Sequence, residues 1–216
     1  MSLAPTDYDF GVSANYAFAE KITCSNDEAR RMYVEAFGHM LNYNHEQAIA
    51  CFTKCTELDP NCAMAWWGIA YCLSSSYNWS AGLGPGYDAI SQAVSLKDHC
   101  SELEQDLIMA LSKRHTKEAR DNANPAALNM GNSPELNQAF ADAMAPLYEK
   151  YSGDLDVTAV YVEALMNLNP WTLWNKDAST GEITPVDDST LMLIKIMEDA
   201  FENVPGAKEH PALCHL

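Results

Sequence analysis

Seven cysteines and six histidines stand in a chain of 216 residues, and their spacing raises the first chemical question. Cys51, Cys55, Cys62 and Cys72 surround one Asp59-Pro60 pair, and Trp66 and Trp67 lie between the last two. Four thiolates could hold zinc, or two could form a redox pair. A tetrahedral zinc with bonds of ~2.3 Å needs its sulfurs within about 4 Å of one another. On two helices meeting at the Asp59-Pro60 turn, with a rise of ~1.5 Å per residue, Cys55 and Cys62 lie about 6 Å and 3 Å from the turn. Cys51 and Cys72 lie about 12 Å and 18 Å from it on the same reckoning. The quartet cannot share one ion. Buried free cysteine behaves as a small hydrophobe, and packing is the expected role of all four.

A second group with metal-ligand chemistry closes the chain: His210, Cys214 and His215. If residues 211 to 216 form a helix, His210 and Cys214 stand one turn apart, a half-site for zinc. His99 with Cys100, or residues past Leu216, would have to complete it. The plainer reading, a capping histidine and a packed cysteine, is preferred. His45, in the turn Tyr43-Asn44-His45-Glu46, has no nucleophile or acid that any motif supplies, so it too is read as structural. Gly82 to Gly86 is not a phosphate loop, because it lacks the Gly-Lys-Ser/Thr ending and Pro85 removes a donor. No nucleophile elbow, zincin helix or paired CxxC is present, so neither a catalytic residue nor a cofactor is expected.

Aromatic residues carry the binding expectations. Trp66 fits a core slot, and Trp67, about 100° further round the helix, must face another hairpin or a groove. Tyr77, Asn78, Trp79 and Tyr87 lie in or beside a Gly-rich insertion, and Trp171 and Trp174 lie in a second long loop. Such residues either form a peptide-binding ledge or cover the core where regular stacking is interrupted.

The elements that must position these groups are helical almost throughout. Ser25 with Glu28, and Ser101 with Glu104, read as capping boxes. Asn44, Ser133, Asp154 and Asp187 mark further helix starts, Asp59-Pro60 ends one helix and starts the next, and Pro146 should kink or split the helix that contains it. Residues 170 to 188 carry turn residues and a short β-like run, which allows a small hairpin. The expected divisions are an N-terminal extension (1–24), helical hairpins (25–114), a polar connection (115–133) and further hairpins (134–216).

Apolar residues make up 48% and charged residues 20% of the chain, an ordinary globular composition. The net charge of −17 disfavours nucleic acid and anionic membrane, and favours basic or apolar protein segments as partners. No run approaches the ~18–20 apolar residues of a membrane span, and the N-terminus does not read as a signal peptide. A cytoplasmic protein with reduced cysteines is expected.

A unit of ~34 residues emerges when the best helical segments are superposed. Ala48, Phe52, Cys55 and Pro60 fall on the small, aromatic, small and exit-proline slots of the tetratricopeptide pattern. Ala36 takes the close-crossing slot of the first helix. Trp66, Ile69, Ala70 and Leu73 open the next unit, and Ala89, Ala93 and Leu96 close it after an insertion. The run from Leu41 to Asn78 resembles a group of tetratricopeptide-repeat proteins with an aromatic-Asn-His-acidic turn (Tyr43 to Glu46). It shares their Asp-Pro-x-Cys-Ala-Met-Ala-aromatic-Trp-Gly run (Asp59 to Gly68) and their Asn-containing loop (Tyr77-Asn78). The resemblance is strongest over residues 23 to 80. It implies an all-α fold of antiparallel hairpins stacked as a solenoid, and a scaffold that binds a protein or peptide. It also implies further hairpins and histidine-bearing segments past Leu216, so a piece of a longer protein is expected. The other reading is the N-terminal part of a larger metal-binding protein or enzyme on a helical scaffold.

Overall fold

The computed structural model describes residues 22–78, 85–122 and 133–216. Helix α1 (Asp27–Leu41) is capped by Asn26, whose side chain accepts from the N–H groups of Glu28 and Ala29. The cap therefore sits one residue later than Ser25. Ser25 instead ties the helix entry to the next turn, donating its N–H and hydroxyl to Asp59 Oδ2 at 2.7 and 2.8 Å. Burial pushes the Asp59 carboxyl up, but these bonds and the Asn61 N–H outweigh it and hold the group below its ordinary range.

Helix α2 (His45–Leu58) follows a turn in which Tyr43 adopts φ 60°. Asp59 ends α2, and α3 (Ala63–Cys72) begins after Asn61 and Cys62, so Pro60 lies in the turn rather than at the first helical position. Nine of the ten residues of α3 are buried, as expected of a helix apolar all round. Its two tryptophans reverse the sequence expectation. Trp67 is the core residue, 1% exposed, donating Nε1–H to the Leu107 carbonyl at 3.1 Å. Trp66 is half-buried and reaches the Pro60 carbonyl at 3.3 Å. Phe52 fills the gap between α2 and α3 directly over Gly68.

Helix α4 (Pro85–Leu96) leads through a short 3-10 turn to α5 (Glu102–Ser112), where Ser101 and Glu104 complete the capping box. The polar connection contains the short helix α6 (Lys117–Asp121). Helix α7 (Pro134–Lys150), capped by Ser133, runs through Pro146 without splitting, and α8 (Leu155–Met166) starts at the Asp154 cap. A two-stranded antiparallel hairpin, β1 (Trp174–Lys176) with β2 (Ile183–Pro185), then precedes α9 (Asp188–Asn203) and α10 (Pro211–His215).

Each of α1 to α5 packs on its chain neighbour, and α8 lies between α7 and α9. A second series of contacts joins α1 to α3, α3 to α5 and α5 to α7. Among the described residues the fold is all-α apart from one hairpin, with a continuous core running from Ile22 to Leu213. No described helix is long and apolar enough to cross a membrane.

Candidate functional site

Because α7 and α9 both lean on α8, a cleft of about 470 Å³ opens between them. Its apolar floor comes from Ala141 and Ala145 of α7, Tyr161 and Leu165 of α8, Leu168 beyond it, and Met192 of α9. Tyr161 is buried and turns its hydroxyl to Met192 Sδ at 3.3 Å. The rim is acidic: Asp142 on one side, Asp187 and Asp188 on the other, all exposed. Asp187 also caps α9. The Thr190 N–H, with Ser189 and Asn169 behind it, holds its carboxyl down at about 2 against the opposing effect of burial. Asp187 therefore keeps its negative charge at any physiological pH.

Asn169 belongs to the cleft wall and is fixed there, its Nδ2 donating to Asp187 Oδ2 at 2.8 Å and to Ser189 Oγ at 3.1 Å. Two residues on, Trp171 takes φ 64°, a region that bulky side chains rarely occupy, and it is 72% exposed. Such strain marks a position where the surroundings over-determine the backbone. The Trp171 ring lies 5.3 Å from Tyr77, and Trp174 (55% exposed) and Ile183 (62%) stand on the hairpin beyond. Of the aromatics singled out in the sequence, Tyr77 is half-buried against the core, whereas Trp171 and Trp174 are exposed.

Of the other expected residues, one is withdrawn from the surface. Trp67 is core and cannot touch a partner. Asn78 is exposed, Tyr87 lies under the Arg120 guanidinium at 5.0 Å, and Trp79 falls outside the described residues.

The terminal metal group does not assemble. His210 Nδ1 accepts the Leu213 N–H at 3.4 Å, which places the ring hydrogen on Nε2, 3.0 Å from Asp156 Oδ1. Both nitrogens are used, so no lone pair remains for an ion. Cys214 is exposed with its thiol on the Lys208 carbonyl, and His215 packs edge-on against Tyr43 at 4.9 Å. His99 and Cys100 sit at the 3-10 turn before α5 and join no ligand group.

Among the described residues, one set of metal-ligating side chains does converge: Glu35 and His39 of α1 with Cys51 of α2. Sequence reasoning missed it by treating Cys51 only as one of the cysteine quartet. The Glu35/His39 spacing of four was the available signal. Burial lowers the His39 pKa although Glu35 pulls it up.

Set against protein-family models, curated proteins and solved structures, the chain finds no match in any of the three.

Proposed function

We propose that this chain is a tetratricopeptide-like helical scaffold whose cleft between α7 and α9 binds a partner protein through a basic segment with an apolar anchor. The observation that carries this reading is the combination of an apolar floor with an acidic rim in one cleft of side-chain size. The contact series α1–α3–α5–α7 supports a stacked-hairpin arrangement, in which alternate helices line one face. Trp171, 72% exposed and two residues beyond the cleft-lining Asn169, is offered as a further apolar contact for residues flanking the anchor. A net charge of −17 raises the encounter rate with a basic segment and repels acidic ones.

Fluorescence anisotropy with labelled synthetic peptides tests this reading. A Lys/Arg-rich peptide carrying one Leu or Phe should bind, and its affinity should fall as salt rises. Charge reversal in the Asp142→Lys/Asp188→Lys double variant should weaken binding by about tenfold, since exposed pairs contribute roughly 0.2–1 kcal/mol each. Preference for an acidic peptide, insensitive to salt, would reject the proposal.

A further inference from the structure

We propose that Glu35, His39 and Cys51 form a zinc-class metal site that staples α1 to α2. This goes beyond the docking cleft and does not depend on it. Each residue offers one ligand atom, and these atoms lie within 4.8 Å of one another. Glu35 and His39 are four residues apart on α1, so both side chains emerge on one face, one turn apart. Cys51 meets them from the second turn of α2. Around an ion with bonds of ~2.0–2.3 Å, ligand atoms stand roughly 3.3–3.8 Å apart. Closure from the observed spacing therefore needs movements of about 1 Å, within reach of side-chain torsions.

The donor set selects the class of ion. Calcium and magnesium take oxygen ligands, whereas a thiolate with an imidazole and a carboxylate suits zinc and its cobalt surrogate. The three groups are 4%, 8% and 0% exposed, so the cluster lies within the packing of α1 on α2. Gln47 Nε2, 3.8 Å from Cys51 Sγ, can donate to that thiolate and orient it. Three protein ligands leave the fourth tetrahedral position for water or another group. Elsewhere among the described residues, no three such side chains come this close.

The test is cobalt titration of metal-stripped, purified protein, using Co²⁺ alone as the probe. A thiolate-to-cobalt charge-transfer band should saturate at one ion per chain and vanish when Zn²⁺ is added. Cys51→Ala should abolish the band, whereas Cys62→Ala and Cys214→Ala should keep it. Glu35→Gln and His39→Gln retain the thiol. Each should weaken Co²⁺ binding by more than the ~10–100-fold typical of losing a supporting contact. These two variants decide the matter if Cys51→Ala fails to fold. Absence of the band in the parent protein, its survival in Cys51→Ala, or unchanged affinity in Glu35→Gln and His39→Gln would overturn the site.

Discussion

His115 and Ser74 have the outward form of a base beside a nucleophile, with Nε2 2.8 Å from Oγ. The surroundings assign them a different role. The Ser74 hydroxyl already donates to the Ala70 carbonyl at 3.0 Å, and Gly86 lies so close to the imidazole that a Cβ there would meet Cε1 at 2.2 Å. The ring is a packing element held neutral. Burial, with Arg114 beside it, takes its pKa down to about 4. In the unfolded chain histidine titrates near ~6.5, so between these values the unfolded state binds the extra proton. Stability from this residue is therefore complete above about pH 6.5 and is lost as pH falls towards 4, by about 3 kcal/mol at the lower end. His115→Gln should flatten that part of the pH dependence in urea midpoints measured from pH 4 to 7. An unchanged slope would refute the assignment.

At the scale of elements, the contact between α2 and α3 rests on one glycine. Alanine normally improves a helix interior by roughly 0.5–1 kcal/mol over glycine. At Gly68 an added Cβ would stand 2.3 Å from Phe52 Cζ, and the ring is wholly buried. Overpacking of this kind costs about 1–3 kcal/mol, so Gly68→Ala should destabilise despite its helical propensity. Denaturant unfolding measures the sign directly, and a gain in stability would show that α2 can shift away. Helix ends were legible in the sequence where one side chain reaches its own backbone: Ser101, Ser133, Asp154 and Asp187 all cap as expected. Ser25 did not, because Asp59, 34 positions away, competes for its hydroxyl.

Across the whole molecule, buried polar ties join the first hairpins to the last. Tyr71 of α3 donates to Glu163 of α8, Arg114 Nε to Asn137 Oδ1 at 3.0 Å, and Asn137 Nδ2 to the Asn167 carbonyl at 3.0 Å. Tyr71→Phe removes a donor from a buried carboxylate and should cost about 1–3 kcal/mol in denaturant unfolding. A neutral effect would mean that Glu163 finds another donor. The sequence by itself determined most of the helices and the caps made by Ser101, Ser133, Asp154 and Asp187, and it allowed the hairpin after α8, since periodicity and capping act within a turn or two of the chain. The packing role of Cys55 was equally readable, because a small residue is needed wherever two helices cross closely. Only the tertiary structure decided that Trp67 rather than Trp66 is core, that Cys51 faces Glu35 and His39, and that α7 and α9 part to leave an acidic cleft. Each of those outcomes depends on how far one helix is rotated against another. A step of about 100° per residue turns the same residue from core to surface, and no local pattern sets that angle.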